Sequence, residues 1–463
     1  MKENLNSITA FLEQEVGLFT GVNKIEELKR LLYELCLIHD WSLDDIKTNP
    51  DIKKFFKKNL QGNKKFLELK KILLELRYPV ASKSEPHFSA YLPPLHLPEK
   101  SLNPLLNKDF IPEKIFIQNS IKNLALTRSV LKKFPQVPQI YFNKLKDIPK
   151  DKTKFLTDMG KRDIYLIDES FDIIKPCPCT KNAVSCNYFI LNLGFGCPFD
   201  CSYCYLQHYM NIAGILLPMN LESFFKQASS ILDQNKFNFV RIGTGEFFDS
   251  LALDSIVNYS SHLIEFFRTK KMLFEFKTKS NNITNLLKIK EVPKNIVISW
   301  SLNPQKIIDT EERYTASLKE RLEAAQTLIA KGYKVGFHFD PIIYYAEWKK
   351  DYEEVVNLLF EYTKGKISWI SVGSLRFYRK LKSIVEYRFP EDVYFYGEFI
   401  LDPQDNKMRY PNLIRKHIYT NMLAFIKKRS SKIPVYLCME STEMYKEIYG
   451  TMKTTQEIEK EFK

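Results

Sequence analysis

The segment GFGCPFDCSYCYLQHY carries Cys197, Cys201 and Cys204 in a Cys-x3-Cys-x2-Cys spacing. Three thiolates on one short loop can each hold one iron of a 4Fe–4S cubane and leave the fourth iron open to an outside ligand. The competing reading is a structural zinc site, which usually takes four protein ligands in paired Cys-x2-Cys form. The spacing, the aromatic Tyr203 between the second and third cysteines and the position after a strand favour a cluster whose open iron takes S-adenosylmethionine. Its amino and carboxylate groups would take that iron, and one electron would cleave a carbon–sulfur bond to give the 5′-deoxyadenosyl radical.

Such a cofactor needs groups to hold it, and the sequence offers several at the ends of apolar runs. In GTGE, the small residues Gly243, Thr244 and Gly245 would let a cofactor approach the backbone, and Glu246 could accept a hydrogen bond from its amino group. A helix-capping role for Glu246 is the alternative. Lys279 in FKTKS could neutralise the cofactor carboxylate, and Ser301 in SWSLNP could bind ribose or carboxylate. In HFDP, His338 and Asp340 alternate with Phe337 and Phe339, so one pair should face the interior, to contact cofactor or substrate or to stand as a hydrogen-bonded core histidine and a capping aspartate. Outside the loop, Cys177, Cys179, Cys186 and Cys438 could hold an auxiliary iron–sulfur cluster, supply a hydrogen-atom donor, or be reduced cysteines without a role. The lone Cys36 falls on an apolar helix face and reads as core.

These residues must be set in place by the elements around them. Strand candidates at 187–193, 237–243, 272–278, 295–301, 333–340 and 367–373 alternate with helical segments such as LESFFKQASSILDQ and ASLKERLEAAQTLIAKG. Alternation of this kind implies parallel pairing through right-handed crossovers. The expected fold is α/β, a partial (β/α)6 TIM-type barrel with its functional residues at the C-terminal strand ends. Residues 1–85 place Leu, Ile, Tyr and Phe at spacings of three and four and read as a helical accessory domain. Residues 86–110 form a proline-rich linker, 111–185 a mixed lead-in with strand candidates KIFIQ and DIYLID, 186–445 the barrel, and 446–463 a polar tail.

Taken in order, CPFDCSYCYLQ, TKS, SLNP, EERYTASLKERLEAA, KGYKVGFHFDPII and the late KMRY resemble the spore photoproduct lyase family over roughly residues 112 to 440. These are radical S-adenosylmethionine enzymes that reverse a thymine photodimer in DNA. The resemblance implies that Tyr203 and Tyr205 relay a hydrogen atom near the substrate and that Lys279 and Ser301 bind the cofactor. It also implies that Lys407, Arg409 and Tyr410 lie close to DNA, where basic and aromatic residues suit phosphate contact and base stacking; a solvated basic face is the alternative. One departure stands out: where the family carries a hydrogen-donating cysteine just beyond the second strand, TGEFFDSLALD puts Glu246.

The expected activity is therefore lyase-like repair of damaged DNA, with an outside electron donor such as flavodoxin or ferredoxin. A net charge of +14 suits a polyanionic partner, although a lysine-rich proteome would also produce it. Radical modification of RNA or a small metabolite would use the same cofactor site, whereas a non-catalytic iron–sulfur sensor would need neither Glu246, Lys279 nor Ser301. The absence of a long apolar run or signal-peptide pattern points to the cytoplasm. Six of eight cysteines crowded between 177 and 204 suit metal ligation better than disulfides.

Overall fold

The apolar runs from residue 187 onward resolve into one curled sheet. The computed structural model describes residues 5–17, 21–86, 88–98, 110–148, 162–168, 172–179, 182–234, 240–403 and 405–462. Seven parallel strands follow in chain order: β1 (Tyr188–Leu191), β2 (Arg241–Thr244), β3 (Leu273–Thr278), β4 (Ile296–Ser301), β5 (Lys334–Ile342), β6 (Ile370–Ser374) and β7 (Val435–Leu437). They lie side by side in that order, and Ile174–Pro176 adds an antiparallel edge to β1. The first six coincide with the expected half-barrel strands; residues 237–239 of the second candidate lie outside the described residues. The seventh, at three residues, is too short to show a period.

Burial explains the apolar runs. In β4, Ile296, Val297, Ile298 and Trp300 are inaccessible on both faces, as parallel strands covered by helices must be. The helix Leu318–Lys331 begins at a capping box, in which the Ser317 hydroxyl and the Glu320 carboxylate satisfy each other's backbone N–H groups. It ends at Gly332 with φ +102°, a conformation that favours glycine. That helix carries Arg321 into the site described below.

A second sheet, all parallel, has the order Gln139–Phe142, Ile115–Gln118, Ile164–Ile167, Ile215–Pro218. It steadies the cysteine loop, because Phe195 and Leu216 exchange backbone hydrogen bonds of 3.1 and 2.8 Å. Gly196, at φ +91°, lies so close to this strand that an added Cβ would sit 2.5 Å from the Gly214 carbonyl.

The chain divides into two units, Met1–Leu102 with Leu375–His417, and Asn103–Ser374 with Ile418–Lys463. Residues 375–417, expected in the barrel, thus join the helical segment, and the reason is a buried charge network. Glu34 receives Arg77 at 2.7 Å and Lys382 at 2.8 Å, and Arg30 spans Glu34 and Glu386 at 3.1 and 2.7 Å. Residues 99–109 of the proline-rich linker lie outside the described residues. The expected polar tail is folded: Thr455–Lys460 is helical, Ile458 is buried, and the Phe462 ring lies 4.2 Å from the Arg241 guanidinium. Burial of Ile458 and Phe462 decides this against the largely polar composition of the segment.

Burial alone would raise the Glu34 carboxyl, but Lys382, Arg77 and Arg30 outweigh it and hold the group below the usual carboxylate range. A depressed carboxyl contributes stability above its unfolded pKa, near ~4.3, that is lost as pH falls toward its folded value. Glu34→Gln should therefore cost about 3–5 kcal/mol at neutral pH by stranding buried cations. The variant should also lose less than the parent on acidification. Urea midpoints of both proteins at neutral and acidic pH check this, and equal acid losses would refute it.

Candidate active site

The cysteine loop leaves β1 and is held from two sides. Asp200–Cys201 pairs antiparallel with Glu312–Arg313, placing Cys201 directly opposite Glu312. Gln207 donates its amide to the carbonyls of Cys201 and Ser202 at 3.0 and 2.8 Å. The three thiols act electrostatically on one another, and burial pushes Cys197 well above the ordinary value and Cys201 to about 12 despite the opposing charge of Lys279.

Glu312 is the hub of this end of the barrel. Its carboxylate accepts Arg321 Nη2 at 2.6 Å and Asn303 Nδ2 at 2.7 Å, pairs with Lys279 Nζ at 3.3 Å, and receives the Tyr203 hydroxyl. Lys279 Nζ also donates to Tyr203 Oη at 2.6 Å and lies 3.7 Å from Cys201 Sγ. Tyr352 holds Asn303 Oδ1 at 2.6 Å. Burial would raise the Glu312 carboxyl, but Arg321 and Lys279 outweigh it and keep it ionised. Burial would likewise depress Lys279, but Cys201 and Glu312 reverse the sign and hold its ammonium charged.

A second cluster surrounds Glu246. Its carboxylate accepts Lys277 Nζ at 2.6 Å, its carbonyl receives the Tyr205 hydroxyl, and Lys277 stands 3.9 Å from the Tyr188 ring centroid. Tyr203 and Tyr205 are both raised by burial, so both keep their phenolic O–H. The space beside the glycines is taken by protein: a Cβ on Gly243 would lie 2.3 Å from the Glu275 carbonyl, and one on Gly245 would lie 2.6 Å from Lys277. On the side that a Cβ would take, their smallness therefore serves strand packing. Thr244 is buried, with its hydroxyl 2.7 Å from that of Ser250.

Ser301 ends β4 half-buried, its carbonyl accepting Arg321 Nη1 at 2.8 Å. His338 does face the interior, but it is satisfied there, with Glu275 at 2.8 Å and Ser371 at 2.6 Å, and burial lowers its pKa. Asp340 is half-buried at the far end of β5. Lys407, Arg409 and Tyr410 are buried in the other unit, and Arg409 and Lys407 pair with Asp405 at 2.6 and 3.6 Å. Their side chains are thus buried and ion-paired within this unit and not spread on a solvated face.

Sequence reasoning passed over the residues that hold the others. Asp249 is one: it accepts the Thr278 hydroxyl at 2.7 Å and the Lys279 backbone N–H at 2.8 Å, fixing the end of β3. Glu312 and Arg321 lie inside EERYTASLKERLEAA, and Asn303 inside SLNP, but a motif does not tell ligand from brace. A cavity of about 540 Å³ opens beside the loop, bounded by Arg162, Pro198, Phe199, Asn282, Tyr314 and Glu320. None of the loop thiols, Lys279 or Ser301 borders it.

Among the described residues, no three His, Cys, Asp or Glu side chains are disposed as ion ligands. The donor chemistry nonetheless fits a cluster, because three thiols within electrostatic reach of one another share one loop, and Lys279 Nζ stands 3.7 Å from one of them. The spore photoproduct lyase family model matches residues 110–429. The chain belongs to the spore photoproduct lyase family. The spore photoproduct lyase of Clostridium acetobutylicum is 26% identical over 226 residues, 45% of this chain and 67% of that protein. That of a Geobacillus strain is 25% identical over 321 residues, 65% of this chain and 88% of that protein. Among solved structures, spore photoproduct lyase complexed with dinucleoside spore photoproduct superimposes with a TM-score of 0.61 at 21% identity, over 71% of this chain and 99% of that one. A mutant of it with bound AdoMet and the same dinucleoside gives 0.60 over 72% and 99%. The family places the chain among radical S-adenosylmethionine enzymes, with the fold read from its strand pattern. Among the described residues no helix is long and apolar enough to cross a membrane.

Replacing Glu312 with Gln should strand Arg321 and Lys279 as buried unpaired cations and cost about 3–5 kcal/mol. Chemical denaturation reads this directly, and a loss below about 1 kcal/mol would remove Glu312 from the hub. Gly243→Ala should cost roughly 1–3 kcal/mol by overpacking against β3 and Tyr188, seen as a lowered Tm.

Proposed function

We propose that the chain cleaves S-adenosylmethionine reductively and acts on a pyrimidine photoproduct in DNA. The observation that carries this reading is the ammonium of Lys279, held 3.7 Å from Cys201 Sγ at the end of a barrel strand in a chain of the spore photoproduct lyase family. Cys197, Cys201 and Cys204 would hold a 4Fe–4S cluster, which supplies, when bound, the electron that breaks the cofactor's carbon–sulfur bond.

The chain's own residues do the positioning. Lys279 stays charged because Glu312 and Cys201 outweigh its burial, and a buried cation at this point would pair with the cofactor carboxylate. Ser301 at the next strand end adds a hydroxyl. Asp249 and Glu312 fix Lys279 by its backbone and its side chain, which lowers the ordering cost of binding. Tyr203 and Tyr205 keep their O–H groups through burial and stand ready to pass a hydrogen atom. Glu246 is committed to Lys277, and a carboxylate does not donate a hydrogen atom as a thiol does. The substrate lesion would leave the DNA stack to reach the barrel, which costs less for a damaged base. An outside one-electron donor, flavodoxin-like or ferredoxin-like, would reduce the site.

The test uses anaerobically reconstituted protein with dithionite, S-adenosylmethionine and DNA irradiated to contain spore photoproduct. Faster 5′-deoxyadenosine formation and return of the lesion to thymine are expected. An unchanged rate with an intact lesion would sink the DNA reading, while irradiated RNA tests the other polymer. Lys279→Ala should weaken S-adenosylmethionine binding roughly ten- to hundredfold, matching a charged hydrogen bond worth about 1.5–3 kcal/mol. Unaltered affinity in equilibrium dialysis would take Lys279 out of the cofactor site.

A further inference from the structure

Four cysteines outside the loop come together where the sheet's two edges meet. Ile174–Pro176 runs antiparallel to β1 with Ile174 opposite Leu191, and the Cys177 N–H continues the pairing by donating to the Tyr188 carbonyl at 2.8 Å. Beyond that point the chain turns, the Cys179 N–H donating to the Cys177 carbonyl at 2.7 Å. The segment holding Cys186 then pairs with the segment after β7: Ala183 bridges Ser441, and the Val184 N–H donates to the Glu440 carbonyl at 2.8 Å. Cys438, two residues before Glu440, follows β7 directly and donates its N–H to Val372 of β6 at 2.8 Å.

The side chains agree with the backbone. Cys177 and Cys179 share a thiol–thiol hydrogen bond, Cys179 acts electrostatically on Cys186, and both Cys186 and Cys438 act on the Tyr445 phenol. All four are half-buried. Against them stands the buried guanidinium of Arg241, which donates to Cys186 Sγ at 3.2 Å and to Tyr436 Oη at 3.0 Å. Its Nε and Nη1 have no hydrogen-bond partner, although Glu275 lies 3.7 Å from Nη1. Rings of Tyr188, Trp369 and Phe462 surround it at 4.2 to 5.0 Å. An apolar cage around a cation excludes water and favours an anionic neighbour.

We propose that Cys177, Cys179, Cys186 and Cys438 form a second thiolate site, holding either an iron–sulfur cluster or a single zinc ion, with Arg241 offsetting its negative charge. Four thiolates are the full ligand set of a closed cluster or a tetrahedral zinc. These thiols, like the three of the loop, are not closed to ligand positions, and a cysteine changes rotamer without moving its backbone. The site would border the Glu246 cluster, since Cys177 acts on both Glu246 and Tyr205.

The full-length variant Cys197→Ala/Cys201→Ala/Cys204→Ala, prepared anaerobically, separates this site from the loop. One portion is reconstituted with ferrous iron and sulfide, another with zinc alone, and metal and sulfide are counted after desalting. Retention of about four iron and four sulfide, or about one zinc, per chain is expected. The metal should be lost when Cys186→Ser and Cys438→Ser are added. Should the triple variant misfold, the parent is compared with the Cys177→Ser/Cys179→Ser/Cys186→Ser/Cys438→Ser variant, which should lose that metal and keep the loop's iron. A folded triple variant that retains neither metal, or a quadruple variant whose metal content equals the parent's, overturns the proposal.

Discussion

A single buried carboxylate, that of Glu312, organises the reactive end of the barrel. A charge with almost no access to water is tolerable only when several partners replace its hydration, and Glu312 has Arg321, Lys279, Asn303 and Tyr203. Each partner comes from a different piece of chain: a helix, the end of β3, the turn after β4, and the cysteine loop. The carboxylate therefore acts as a geometric lock. Because Glu312 also pairs by its backbone with Cys201, the lock extends to the cysteine loop itself.

The same logic repeats along β3. Glu275, Lys277 and Lys279 share one strand face, alternating with Phe274, Phe276 and Thr278 on the other. Glu275 meets His338, Lys277 meets Glu246, and Lys279 meets Glu312. The barrel interior is thus a polar ladder with one carboxylate–imidazole hydrogen bond and two charge pairs as its rungs, while the opposite face of β3 packs as core, with Phe274 stacked on Phe267 at 4.0 Å. Such interiors are costly unless every rung is paired, and pairing limits how far any one side chain can drift.

The Glu246 and Lys277 rung stands where the resemblance to the family implies a hydrogen-donating cysteine. A thiol at that point would leave Lys277 without its nearest anion, so the carboxylate and the ammonium form a matched pair. One thiol of the lead-in segment, Cys177, stands within electrostatic reach of Glu246 and Tyr205 instead.

Much of this was legible in the sequence. The Cys197, Cys201 and Cys204 spacing is a local property of one loop, and six barrel strands announce themselves because fully buried parallel strands are apolar throughout, between helices of period 3.6. Ser317 and Gly332 mark their helix ends by local hydrogen bonding and φ. What the sequence could not decide is which distant charges meet. Lys407 and Arg409 look like a basic surface until Asp402 and Asp405 fold over them. Residues 375–417 look like barrel until Glu386 and Lys382 find Arg30 and Glu34, and 446–463 reads as a tail until Phe462 reaches Arg241. Metal-ligand spacing and strand period are set over a few residues, whereas the partner of a buried ion is set by desolvation across hundreds, and only the folded chain specifies that.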